Sequence, residues 1–148
     1  MVIHQVGKEE RGESLTLALL AVCESSVRAT HGFLREGDVE YLRPFVRQAL
    51  KEVPVLLCAE EAGKPAAFLG REGNSIEMLF VAAELRGKGI GSALMREALT
   101  RNACHVDVNE QNPQALGFYR KFGFEVASRD AVDGLGLPYP ILHCELKK

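Results

Sequence analysis

Arg86-Gly87-Lys88-Gly89-Ile90-Gly91 follows a short apolar run, Ile76 to Val81, and opens a helix-like segment, Ser92 to Arg101. Three glycines in six residues leave a backbone almost bare of side chains. Successive N–H groups can then converge on one point, and the positive end of a helix dipole adds to the potential there. A phosphate is the guest such a loop fits. Two other phosphate-binding patterns do not apply. A G-x-x-x-x-G-K-[ST] loop carries its lysine after the last glycine, whereas Lys88 lies between glycines. A G-x-G-x-x-G fingerprint fails because Gly89 and Gly91 are followed by Ala93-Leu94, and because the loop comes late in the chain rather than after its first strand.

A second segment lies downstream. Asn112 suits a helix N-cap and Pro113 the first helical position, while Gly123 suits the residue just past the helix end. Inside that helix Gly117 costs about 1 kcal/mol relative to alanine, which predicts a close approach there by a cofactor or a neighbouring helix. Together the two segments resemble the R/Q-x-x-G-x-G/A loop and the N-x-x-A-x-x-x-Y…G-F signature of the GNAT superfamily of N-acetyltransferases. The matching residues are Arg86 to Gly91, then Asn112, Ala115, Tyr119, Gly123 and Phe124.

The rest of the chain is read from periodicity. Val2 to Val6 is a first strand. Glu13 to Thr30 is helical, with Leu15, Leu19, Val22 and Val27 at helical spacing. Asp38 caps a second helix running to Lys51, which Pro44 should kink or delay. Pro54 to Glu60 and Pro65 to Gly70 form a hairpin about Ala62-Gly63-Lys64, and Gly73-Asn74 turns into the strand Ile76 to Val81. The helix after the glycine loop reaches about Asn102. Cys104 to Asn109 alternates, with Cys104, Val106 and Val108 on one face and His105, Asp107 and Asn109 on the other. Phe124 to Ser128 and Leu137 to Leu146 are the last strands. These patterns alone predict a mixed α/β domain with a largely antiparallel sheet. The resemblance implies more: a GNAT fold of about seven strands and four helices in the order β-α-α-β-β-β-α-β-α-β-β, with residues 1–148 as one domain.

Bulk properties narrow the function. A net charge of −2 gives no electrostatic case for nucleic acid. The four cysteines are widely spaced without a C-x-x-C pair, so the reading is reduced thiols in the cytoplasm, with no metal site and no disulfide framework. Ser14 to Cys23 is apolar enough to suggest a signal peptide. It is flanked by Glu13 and Glu24, lacks a small-residue cleavage site, and falls well short of the ~20 residues of a membrane span.

The resemblance implies acetyl-CoA as co-substrate and an amine as acceptor. It places the pyrophosphate among Arg86, Gly87, Lys88, Gly89, Ile90, Gly91 and Ser92, and the pantetheine arm against the main chain of Leu79, Phe80 and Val81 and against Asn112. It assigns Tyr119 as the acid that meets the departing thiolate. In the superfamily the strand before the loop is bulged and splays from its neighbour. The residues themselves allow plainer roles: Leu79, Val81 and Tyr119 as core, Arg86 and Lys88 as solvated loop charges.

For the general base Glu77 comes first, on the nominal face of Leu79 and Val81, against the alternative of a solvated strand charge. His31 is second, because imidazole titrates in the useful range. His105 and Asp107 stand outside, and His4 and His143 read as structural. Thr30, His31 and Tyr139 are the expected acceptor-pocket residues. Thr30-His31-x-Phe33-Leu34, Val108 to Asn112 and Asp133 to Pro140 resemble the bacterial YjaB type of the superfamily, which implies a protein lysine as acceptor. A small-molecule amine, a non-catalytic acyl-CoA sensor and a structural domain with a chance glycine loop are the competing readings. Many such domains dimerise through their last strands, so a homodimer is one expectation.

Overall fold

Two-residue turns at Ala62-Gly63 and Gly73-Asn74 link three strands into a meander: β2 (Val55–Glu61), β3 (Lys64–Glu72) and β4 (Ser75–Val81). Around it run β1 (Val2–Gln5), α1 (Glu13–Thr30), α2 (Glu36–Glu52), α3 (Ile90–Thr100), β5 (His105–Asn109), α4 (Pro113–Lys121), β6 (Phe124–Asp130) and β7 (Ile141–Leu146). The structure is a computed structural model and describes residues 1–30 and 36–147, without the side chains of residues 30, 36 and 38. The seven strands form one sheet in the order β1-β2-β3-β4-β5-β7-β6, antiparallel except where β4 meets β5. The predicted fold and element order are the ones observed.

The middle strands are apolar on both faces because both are covered. Leu57 and Ala59 of β2 and Leu69 of β3 pack with Leu94, Met95 and Ala98 of α3. Leu56, Cys58 and Phe68 point the other way and pack with Leu19, Leu20, Val22 and Cys23 of α1 and Leu50 of α2. Glu13–Arg47 and Glu24–Arg43 ion pairs join α1 to α2 at the surface.

Pro44 does not delay α2, which runs unbroken from Glu36, so Asp38 lies inside the helix rather than capping it. A proline at 44 denies a donor to the carbonyl of Glu40, and both residues lie on the exposed side of the helix, where water can serve that carbonyl. Among the described residues no helix is long and apolar enough to cross a membrane.

Two irregularities in β4 set up the site. From Ala67–Val81 to Gly70–Met78 the β3–β4 register is regular, but Arg71 then pairs with Ile76, leaving Glu77 as an extra residue. This is a β-bulge. It also breaks the alternation: Met78 packs in the α1/α2 core, while Ile76 packs in the α3 core together with Leu79 and Val81. The second irregularity is that β4 and β5 pair only at Ser75–His105 and Ile76–Val106. Beyond these pairs the strands part, and their facing main-chain groups are free for another partner.

Candidate functional site

The gap between β4 and β5 is the mouth of a cleft of about 270 Å³. Ile76 to Val81 form one wall, Val106 to Asn109 the other, and Asn112, Gln114, Phe118 and Tyr119 of the α4 segment close it. A Cβ added to Gly91 would stand 3.4 Å from Val81 Cγ2 and 3.7 Å from Phe118, so this glycine keeps the floor between β4 and α4 clear.

At one end of the cleft the glycine loop turns into α3. Gly87 has φ 79° and Gly89, the N-cap of α3, has φ 80°. Both are left-handed values that carry a steric cost for other residues. They deliver the first turn of α3, whose N–H groups have no partner within the helix. Arg86, Gly91 and Asn112 line the cleft, as do Leu79, Phe80 and Val81. Gly87, Lys88 and Gly89 are exposed at its edge, Ser92 is half-buried, and the Ile90 side chain is core. Arg86 Nη2 donates to Gln114 Oε1 at 2.8 Å and so bridges the loop to α4.

Asn112 is buried and caps α4, its Oδ1 accepting from Ala115 N–H at 3.2 Å. Tyr119 is both core and cleft. It is edge-on to Phe118 at 5.3 Å and to Phe124 at 5.9 Å, and it lines the cavity. Burial, and then the neighbouring Cys144, pushes its phenol well above the ordinary range. It therefore keeps its proton throughout the neutral range. Among the described residues nothing lies within 4 Å of where a Gly117 Cβ would be, so of the two expected close approaches the neighbouring helix is not the one.

A second cleft of about 330 Å³ opens on the other face of the sheet, beneath α1 and α2. Leu20, Val27, Leu42, Val46 and Tyr139 make it largely apolar. Among the described residues four line both clefts: Glu77, Met78, Phe80 and Asn109. Glu77 is the titratable one, exposed because the bulge turns it out of both cores. His31 and the side chain of Thr30 lie outside the described residues. His4 meets Glu60 at 3.8 Å, far along the sheet from the cleft.

Several cleft residues were not among the expected ones. Ser26 interrupts an apolar helix with a buried hydroxyl, which is a signal in the sequence. Gln114, Phe118 and Asn109 carry no such mark, and only the folded arrangement brings them in.

The chain matches the acetyltransferase (GNAT) domain over residues 38–137. It is 39% identical over 144 residues to the peptidyl-lysine N-acetyltransferase YjaB of Salmonella typhimurium, covering 97% of each chain. The YjaB of Escherichia coli is also 39% identical, over 92% of this chain and 90% of its own. The solution structure of the apo form of the Escherichia coli protein superposes with a TM-score of 0.83 over 98% of this chain and 97% of that one. A PaiA N-acetyltransferase of Thermoplasma acidophilum, solved with coenzyme A, shares the fold with a TM-score of 0.67 at 20% identity, over 98% of this chain and 99% of its own.

Proposed function

This chain belongs to the GNAT family of acetyltransferases and is an acetyl-CoA-dependent N-acetyltransferase, and we propose that its acceptor is the side-chain amine of lysine in a protein. The acetyl group moves by direct attack within a ternary complex. One observation carries this reading: the bulge puts a carboxylate, Glu77, where the two clefts meet. The β4–β5 cleft suits the donor. Its parted strands can hydrogen-bond the amides of a pantetheine arm, and its glycine loop with Arg86 and Lys88 suits a pyrophosphate. The apolar cleft under α1 and α2 suits the methylene stem of a lysine, with Tyr139 on its wall. The relatives named for peptidyl-lysine acetylation support the same acceptor.

The residues divide the proton work. A lysine amine has a pKa near ~10.4 and arrives charged. Glu77, directly or through a water, removes that proton so that the lone pair can attack. The N–H groups of Leu79 and Val81, which point away from β3 toward the cleft, can meet the carbonyl and stabilise the negative charge that develops on its oxygen. Tyr119 hydrogen-bonds the sulfur as it leaves. A free phenol near pKa ~10 is already about 2 kcal/mol too weak an acid for full transfer to a thiolate of ~8.5. Burial raises Tyr119 further. It therefore acts as a donor of a hydrogen bond, or in step with thiolate protonation, not as a free acid.

The same proposal takes residues 1–148 as one domain working in the cytoplasm, where its four free cysteines stay reduced. It also includes pairing of two copies through β6, the edge strand on which Val126 is exposed. The test is calorimetry with acetyl-CoA together with thiol release over a panel of lysine peptides, protein substrates and small amines. Micromolar binding with release that depends on lysine supports the reading. Binding without release on any amine would favour an acyl-CoA sensor, and release on small amines alone would move the acceptor.

A further inference from the structure

Asp107 and His143 are direct partners across the β5–β7 ladder. His105 precedes Asp107 by two residues and shares its face of the strand. His143 Nδ1 lies 2.6 Å from Asp107 Oδ1, and His105 Nε2 lies 3.0 Å from the same oxygen. The three side chains can offer one ligand atom each within 4.8 Å of one another. On its far side His143 Nε2 meets Asp130 Oδ2 of β6 at 2.7 Å. We propose that His105, Asp107 and His143 form a binding site for a divalent transition-metal ion of the Zn²⁺ class, with Asp130 positioning His143.

The chemistry of the set supports this. In the ion-free protein His143 donates from Nδ1 to Asp107 and from Nε2 to Asp130; an ion would take the place of the Nδ1 proton, while Asp130 keeps its hydrogen bond from Nε2 and so holds the ring in place. Asp130 is then the outer partner that metal-ligating histidines characteristically have. Two imidazoles and one carboxylate suit Zn²⁺, whereas Mg²⁺ and Ca²⁺ prefer all-oxygen sets. Three protein ligands leave a fourth position for water or another group. The ligands stand on two hydrogen-bonded strands, so little needs ordering when the ion arrives. The histidine side chains are 29% and 27% exposed and Asp107 is 51% exposed, so an ion reaches them from solvent.

A bare ion-pair cluster accounts for less. It explains two contacts separately, an imidazolium between Asp107 and Asp130 and a His105–Asp107 pair, where one ion would explain why both rings meet the same oxygen. The His105 and His143 rings lie nearly parallel on one face of the sheet, 22° apart with centroids at 6.3 Å. The site shares Asp107 with the lining of the β4–β5 cleft, so an ion there sits beside the reaction centre.

The test is titration of the untagged protein with Zn²⁺ by calorimetry and with Co²⁺ by visible absorption. The expected result is one ion per chain, a ligand-field spectrum without a thiolate charge-transfer band, and loss of binding in Asp107→Asn and His143→Gln. Asp130→Asn, on the exposed edge strand, should weaken binding by ~10–100-fold. Asp130 is not itself a ligand, so its variant tests the site even if a ligand variant folds poorly. Absence of binding, a thiolate band pointing to the neighbouring Cys104, or unchanged affinity in Asp130→Asn and Asp107→Asn would each overturn the proposal.

Discussion

Arg71 pairs with Ile76, although the regular register above it would have matched it with Glu77. That one-residue slip turns Glu77 out of the ladder and sets it between the β4–β5 cleft and the cleft under α1 and α2. If Glu77 is the base, Glu77→Gln should lower kcat by ~10²–10⁴-fold at neutral pH. The loss should shrink at alkaline pH, where the acceptor amine sheds its proton unaided. Thiol-release rates across pH, with thermal melting as a control, check this. An unchanged kcat would return Glu77 to a solvated charge.

Tyr119 packs between Phe118 and Phe124, and its phenyl ring contributes to the core whatever its hydroxyl does. Tyr119→Phe keeps that packing and removes only the hydroxyl, the proposed donor to the leaving sulfur. Turnover should fall by roughly 10²-fold while the affinity for acetyl-CoA stays the same. Single-turnover thiol release together with calorimetry separates the two quantities. Turnover equal to wild type would leave Tyr119 a core residue that happens to line the cavity.

The glycines make opposite predictions. Gly89 holds φ 80° at the N-cap of α3, so Gly89→Ala should cost about 1 kcal/mol and weaken acetyl-CoA binding by moving the first helical turn. Gly117 sits in α4 with open space around it, so Gly117→Ala should stabilise the fold by up to about 1 kcal/mol. Urea unfolding reads the stability and calorimetry the binding. A loss of acetyl-CoA affinity in Gly117→Ala, without loss of stability, would show that the cofactor passes there.

Much of this architecture was legible because local signals agreed. The glycine loop, the Asn112 cap with Pro113 behind it and the helical spacing of Leu15, Leu19 and Val22 each depend on neighbours in sequence. The bulge at Glu77 was not legible from residue pattern, because it is a property of two strands in register. Strict alternation put Glu77 on the face of Leu79 and Val81, and the slip puts Ile76 there instead. The pairing of His143 was not legible for a similar reason. Its partners Asp107 and Asp130 come from two other strands, 36 and 13 residues away, and only the sheet order joins them. Pro44 misled because the cost of an interior proline depends on whether the freed carbonyl meets water, which sequence does not record.

Arg86 ties the glycine loop to α4 through Gln114 and places a cation at the loop end of the cleft, where we propose the pyrophosphate binds. Arg86→Ala should raise KM for acetyl-CoA by roughly 10-fold, the effect of about 1.4 kcal/mol of lost charge-assisted hydrogen bonding. Gln114→Ala removes the tether but not the charge and should cost less. Added salt should weaken acetyl-CoA binding in the wild type more than in Arg86→Ala. Initial rates at two ionic strengths decide this, and equal salt sensitivity in the two proteins would exclude a phosphate contact by Arg86.

Alkaline pH should destabilise the fold before it damages the site. Burial pushes the Cys23 thiol up to about 12 and the Cys58 thiol up to about 11, and it raises Tyr119 as well. All three are neutral when protonated, so a raised value in the native state means the unfolded chain releases its protons first. Their contribution to stability is complete below the unfolded thiol value of ~8.5 and is lost as pH climbs through the native values. Cys23 alone should steepen the loss by about 1.4 kcal/mol per pH unit over that window. Urea midpoints at pH 8, 9 and 10, values chosen to span roughly the start of thiol ionisation, should fall progressively. Cys23→Ser removes that slope but leaves a hydroxyl in the core, so Cys23→Ala is the cleaner comparison. In the native protein a thiol reagent should reach half-buried Cys104 well before buried Cys23 or Cys58. Equal labelling rates for all of them, or midpoints that do not move with pH, would mean these thiols are not buried in solution.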